Sequence, residues 1–197
     1  MPERLTVLQV IPRMRAGGAE LGCLQVAEAL VKKGHRALVA SQGGRLADRL
    51  AEFGAEHITL PLATKNPLGI LSNANKLADI IRREKVDIIH ARSRAPAWSA
   101  LWAARKTNIA FVTTYHSEYS EKNRVKNWYN SVMARSDTVI AVSDYMALLI
   151  RTRYATPEER IAVIHRAFDP DRFDLNSLTQ ERLDDVRRSL GIEKDNR

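Results

Sequence analysis

Cysteine is almost absent: Cys23 is the single one in 197 residues, so no internal disulfide can form. Its place on the apolar side of the first helical pattern marks it as a small buried hydrophobe without a chemical role. Long apolar runs are missing too. None approaches the roughly 20 residues of a membrane-spanning helix, and Met1-Pro2-Glu3-Arg4 lacks the apolar stretch and cleavage site of a secretory signal. A cytoplasmic protein is the expectation. Aromatic residues supply 6% of the chain and none interleaves a block of Lys and Arg, which argues against a nucleic-acid partner. Neither G-x-G-x-x-G nor G-x-x-x-x-G-K-[ST] occurs, and no acidic residue closes the strand-like run Val39-Ala40-Ser41 to hold a ribose. Nicotinamide-dependent and P-loop chemistry lose support accordingly. The five histidines form no H-E-x-x-H and no Cys/His cluster, so no metal is expected.

What the chain has in excess is positive charge, formally +8, which suggests anionic partners such as acidic lipid headgroups or phosphorylated small molecules. Lys and Arg are scattered along the whole chain, so charge alone does not choose among these. Arg15-Ala16-Gly17-Gly18-Ala19-Glu20 is more specific, lying between the apolar run Leu5–Ile11 and a helical pattern from Glu20 to Lys33. Two glycines at a strand-to-helix turn let backbone approach a ligand, and the following helix offers unpaired N–H groups and partial positive charge to an anion.

Seven β-branched runs read as strands: Leu5–Ile11, Ala37–Ser41, His57–Leu60, Asp87–His90, Ala110–Tyr115, Thr138–Val142 and Ile161–Ile164. Between them apolar residues recur at i, i+3, i+4, as in Leu21, Leu24, Ala27 and Leu30, then Leu46, Leu50 and Phe53, then Leu71, Ala74, Leu77 and Ala78, then Val125, Trp128, Val132 and Met133. This alternation predicts a Rossmann-like, doubly wound α/β fold with a mostly parallel seven-stranded sheet and helices on both faces. Ligands of such sheets bind beyond the strand C-terminal ends. The residues there are polar and mostly cationic: Arg13 with the Gly17-Gly18 pair, Lys65, His90 with Arg92 and Arg94, and His116 with Ser117. Singly, each charge could be a solvated loop residue and each histidine a partner of neighbouring backbone; their shared edge favours a site. Asp169-Pro170-Asp171 spells D-x-D, a spacing some metal-dependent sugar transferases use, but its composition is that of a turn.

Ile11-Pro12 followed by Gly17-Gly18-Ala19-Glu20, Val86-Asp87-Ile88-Ile89-His90-Ala91-Arg92-Ser93, Thr113-Thr114-Tyr115-His116-Ser117, Ile140-Ala141-Val142-Ser143 and Val163-Ile164-His165-Arg166-Ala167-Phe168-Asp169 occur in this order. The series resembles the N-terminal half of the family 4 glycosyltransferases, retaining enzymes of the GT-B fold whose two Rossmann-like domains face each other across a cleft. The resemblance implies transfer of a sugar from a nucleoside-diphosphate sugar to a glycan or lipid-linked acceptor of the cell surface, in polysaccharide or lipopolysaccharide synthesis, without metal or cofactor. It implies that Gly17 and Gly18 approach the donor diphosphate and that His116 sits beside the transferring sugar. Lys65, Arg92, Arg94, Ser117 and Lys122 would shape the acceptor site, with peripheral contact to an acidic inner membrane face.

Three departures accompany it. The interdomain turn reads Arg166-Ala167-Phe168-Asp169 where a glycine is common, which would stiffen a hinge carried by Arg166 and Asp169. Ser117 and Glu118 follow His116 where a glycine is common, and the glutamate adds negative charge near the acceptor side. The paired-glutamate donor motif of the family is not in the sequence. The expected organisation is an acceptor-binding domain over 1–175 and an interdomain helix over 176–197 leading to a donor-binding domain outside this chain, so that these residues alone should be inactive. Two other readings stay open: a non-catalytic phosphate-binding regulatory module, and a nucleotide-sugar epimerase or dehydrogenase.

Overall fold

The computed structural model describes residues 4–120, 123–166 and 178–192. The chain divides into two compact units, Met1–His165 and Arg166–Arg197. The first holds seven parallel strands: β1 (Thr6–Val10), β2 (Arg36–Ser41), β3 (Glu56–Thr59), β4 (Ile88–Ala91), β5 (Ala110–Tyr115), β6 (Thr138–Ala141) and β7 (Ile161–Val163). Their order across the sheet is β3-β2-β1-β4-β5-β6-β7. The chain runs outward from β1 to β3 and returns to lay β4 on the other side of β1. That reversal is the topological switch point, where an open α/β sheet forms a crevice.

Side chains alternate across the sheet and build two apolar layers. Leu8, Val10, Leu38 and Ala40 face one side and pack with α2 (Pro67–Glu84), α3 (Arg94–Thr107) and α5 (Asp144–Tyr154). Ala37 and Val39 face the other and pack with Cys23, Leu24 and Ala27 of α1 (Gly18–Lys32). Cys23 is fully buried there, and burial pushes its thiol up to about 11. Several helix starts carry side-chain caps: Asn66, ahead of Pro67, accepts from Leu68 N at 3.0 Å, and Ser143 accepts from Met146 N at 3.2 Å.

Every predicted strand is present, with ends shifted by a residue or so. The helical spacing differs in two places. Of the Leu46–Phe53 pattern, Asp48–Phe53 forms a 3-10 helix, which Gly54 ends in left-handed backbone, φ 86°. The pattern from Val125 to Met133 breaks into α4 (Arg124–Asn130) and a 3-10 helix, Ser131–Ala134. Spacing passed over α3, whose apolar residues do not form one stripe: Ala97, Trp98, Ala100, Leu101, Ala103 and Ala104 are all buried. The second unit contains α6 (Gln180–Leu190), capped by Thr179 and ended by Gly191, with Leu183, Val186 and Leu190 on one face. Among the described residues, no helix is long and apolar enough to cross a membrane.

Candidate functional site

Gly17 is the N-cap of α1, and no side chain caps that helix start. Its first N–H groups are therefore the orphan donors that an anion can take up. Gly17 adopts ordinary extended angles, φ −81° and ψ 167°, so backbone conformation does not demand glycine there. A Cβ at Gly17 would meet the Glu20 carboxylate, the far end of a flexible side chain that folds back over the helix start and can swing aside. The loop leading to it is fixed from the side of β2, where Met14 N donates to Gly43 O at 3.0 Å, Leu46 N to Met14 O at 2.9 Å and Gln42 N to Pro12 O at 3.1 Å.

Across the switch point, Val10 pairs with Ala91, and Arg92 follows directly. Arg92 is buried, 5% exposed, and its Nε donates to Gln9 Oε1 at 2.6 Å. Gln9, fully buried in β1, in turn donates from Nε2 to the Cys23 carbonyl of α1 at 3.0 Å. This relay seats the guanidinium under the first turns of α1: a Cβ at Gly22 would lie 3.5 Å from its Nη1. The period-two rule then places Gln9, His90, Arg92, Thr114 and His116 on the same side of the sheet, since Gln9, His90 and Val112 are register partners. A polar stripe thus runs over β1, β4 and β5 toward the crevice, with half-buried His116 at its upper end.

His90 lies deep in that stripe, its Nε2 2.7 Å from Thr114 Oγ1. Burial first, then the charges of Arg92 and His116, hold its pKa well below the usual histidine value, so it is neutral at physiological pH. The unfolded chain takes up a proton near pH 6.5 that the folded chain refuses, so stability is lost as pH falls below that point. The expected slope is up to about 1.4 kcal/mol per pH unit from this residue. Melting curves between neutral and acid pH should show a steeper loss in the native protein than in His90→Gln; equal slopes would remove His90 as the cause.

A third wall is built by the segment after β5. Arg94 Nη1 donates to Asn130 Oδ1 at 2.7 Å while its guanidinium lies 4.1 Å over the Tyr119 ring, tying α3 to α4 and to this loop. Asn130 Nδ2 bonds the Ser120 carbonyl at 3.2 Å, and Arg153 Nη1 bonds the Tyr119 carbonyl at 3.1 Å. Glu118 does not add a bare negative charge to the crevice. Its carboxylate accepts from Arg153 Nη2 at 2.9 Å and from the Tyr145 hydroxyl at 3.3 Å, and the Arg153 bond holds it below the usual glutamate range.

The structure therefore gathers Gly17, Gly18, Arg92 and His116 around β1, β4 and β5, with exposed Ser117 beside them. Arg94 stands at the same edge with its guanidinium engaged in the loop clamp. Lys65 is exposed in the loop between β3 and α2, and β3 lies two strands from β1. Arg166 is exposed and opens the second unit. Lys122, Asp169 and the Asp169-Pro170-Asp171 turn lie outside the described residues. Sequence reasoning missed Gln9, Thr114 and Asn130. Gln9 left a signal: a lone amide inside Val7-Leu8-Gln9-Val10-Ile11, where a buried strand tolerates a polar group only when it is hydrogen-bonded.

An open parallel sheet with a glycine-opened helix start and a buried arginine meeting at its switch point defines a Rossmann-like α/β domain. The profile of Glycosyltransferase Family 4 matches residues 16–172, and the chain belongs to that family, with the fold of the N-terminal domain of the GT-B arrangement. A crystal structure of a glycosyltransferase from Rickettsia africae ESF-5 is 38% identical, with a TM-score of 0.84 over 98% of this chain and 51% of that one. Anabaena HepE in complex with UDP-glucose superposes with a TM-score of 0.77 at 21% identity, over 95% of this chain and 50% of that one. An alpha-monoglucosyldiacylglycerol synthase of Streptococcus pneumoniae is 24% identical over 83% of this chain and 40% of its own length. The chain spans half or less of the length of the curated relatives it matches.

Proposed function

We propose that residues 1–175 form the acceptor-side domain of a retaining glycosyltransferase that uses a nucleoside-diphosphate sugar, and that residues 176–197 lead toward a second, donor-binding domain. The observation that carries this is the junction of the α1 start, covered only by the flexible Glu20 side chain, with the Gln9-held guanidinium of Arg92 at the switch point. Two fixed positive elements on either side of one crevice suit a diphosphate leaving group, whose charge grows as the sugar departs. Such preorganised donors need no metal. Gly17 and Gly18 admit the diphosphate, and His116 hydrogen-bonds the transferring sugar. Lys65, Arg94, Ser117 and Lys122 shape the acceptor side, Arg92 serves an anionic group where the two substrates meet, and Arg166 with Asp169 forms the hinge.

HepE, solved with UDP-glucose, supports a nucleotide-sugar donor, and the streptococcal relative, named for a glucosyldiacylglycerol product, supports a lipid-linked acceptor. The enzyme works on the cytoplasmic side, at the surface of the membrane that holds this acceptor, in building a cell-surface glycan. Residues 1–197 alone are expected to transfer nothing from any nucleotide sugar, since holding donor and acceptor in register contributes on the order of 7–11 kcal/mol and half a cleft cannot supply it. Joined to the donor domain they should turn over, and Gly18→Val should weaken donor affinity in calorimetric titration without lowering Tm. Turnover by residues 1–197 alone would refute the two-domain reading, and unchanged donor affinity would refute the role of the glycines.

A further inference from the structure

Ser41, the last residue of β2, carries a fully buried hydroxyl. Such a group needs partners, and this one has two: Gly43 N donates to its Oγ at 3.0 Å, and His57 Nε2 of β3 lies 2.8 Å away. β3 is the outermost strand on this side of the sheet, next to β2, and His57 is half-buried there. Burial lowers the His57 pKa, against the opposing charge of Asp48 in the first 3-10 helix, so the imidazole is neutral at physiological pH. A neutral ring with its hydrogen on Nδ1 accepts a hydrogen bond from Ser41 on Nε2 and leaves Oγ to accept from Gly43. The three groups then satisfy one another.

The same bonds lead on toward the crevice. Gly43 O accepts from Met14 N at 3.0 Å, Leu46 N donates to Met14 O at 2.9 Å, and Arg45 Nε donates to the Arg15 carbonyl at 3.3 Å. Gly44 permits this approach because it has no Cβ to meet the Met14 carbonyl. Both backbone groups of Met14 are thus held by the loop after β2, a few residues before Gly17, and the hold runs back through Ser41 to an imidazole on the outermost strand. Two apolar side chains would fill the space of Ser41 and His57 with no desolvation cost. They could not hold the Gly43 N–H, and with it the loop, in one place. A fully satisfied buried polar pair rigidifies what it holds, and what this one holds is the approach to the α1 start.

We infer that Ser41 and His57 are positioning residues of the glycine loop: through Gly43 and Met14 they fix where the start of α1 presents its N–H groups to an anion. Their purpose rests on the diphosphate reading of the crevice, whereas their hold on the loop does not. Hydrogen exchange followed by NMR tests that hold in the chain without ligand. Ser41→Ala should speed exchange of the Met14, Gly43 and Leu46 amides roughly tenfold or more, while amides in the middle of α2 keep their native rates. His57→Leu should do the same, and His57→Gln, whose amide oxygen can accept from Ser41, should restore most of the protection. In the chain joined to its donor domain, calorimetric titration with UDP-glucose, GDP-mannose and ADP-glucose tests the purpose. Whichever of these the native protein binds should be bound roughly fivefold to tenfold more weakly by Ser41→Ala and His57→Leu, with most of the affinity regained in His57→Gln. Native loop exchange in Ser41→Ala, or faster exchange with unchanged donor affinity, would overturn the assignment. A lowered Tm with native loop exchange and native affinity would make the pair a filler of the core and overturn it too. Failure of the native protein to bind any of the three nucleotide sugars, with loop exchange accelerated as expected, would refute the diphosphate reading while showing that the pair fixes the loop.

Discussion

His116→Ala, in the chain joined to its donor domain, is expected to lower kcat by roughly two orders of magnitude or more, with little change in Tm. His116 follows β5 directly, on the same side of the sheet as Thr114, and is half-buried at the crevice end of the polar stripe. Its charge state reaches His90, whose pKa it helps to depress, so the two imidazoles are near neighbours with different surroundings. His90 spends its ring on Thr114 in the interior, whereas the role proposed for His116 is to hydrogen-bond the transferring sugar. A hydrogen bond that strengthens as the sugar leaves its phosphate lowers kcat and kcat/KM together when it is removed, which separates it from plain substrate binding. A variant that melts early yet keeps its activity per folded molecule would make His116 a structural residue.

Gly44→Ala should be the most damaging small substitution in the crevice loops. Gly44 sits at φ +137°, outside the left-handed basin that other residues reach, and a Cβ there would collide with the Met14 carbonyl, whose carbon would lie at 2.7 Å. Both partners are backbone, and Met14 is pinned by Gly43 O and Leu46 N, so neither side can yield cheaply. The expected cost is about 2–4 kcal/mol, or roughly 5–15 °C in Tm for a chain of this size. Gly43→Ala is the internal comparison. Gly43 lies at φ +87° with nothing within 4 Å of its Cβ position, so it should lose only the about 1–2 kcal/mol of left-handed backbone. Equal Tm losses in the two variants would show that conformation, not the contact with Met14, sets the cost.

The strands were legible because parallel strands buried on both faces read as continuous β-branched runs, and the crevice followed from the rule for strand ends. What stayed hidden is the division of labour among the cations. Arg92 and Arg94 are two residues apart and look alike in sequence, yet one is locked by Gln9 of β1 and the other by Asn130 of α4, at separations of 83 and 36 residues. No local pattern carries such pairings. Glu118 was misjudged for the same reason, since its cation is Arg153 on α5. α3 escaped the spacing rule because a helix buried on several sides has no single stripe to detect.

The pairing of β1 with β4 that opens the crevice is also among the least local contacts in the fold, with Thr6 N bonding Asp87 Oδ2 across 81 residues. The βα units on either side are closed by short loops, whereas this junction requires both arms of the chain to meet, and that loop entropy must be met before the pairing contributes anything. Arg92 reaches Gln9, and through it α1, only after the seam has formed. A nascent or partly unfolded chain therefore has each half of the pocket on a separate arm and no pocket at all. Ligand binding then reports completion of folding, and any ligand of this crevice acts as a staple across a seam that joins the two arms of the chain.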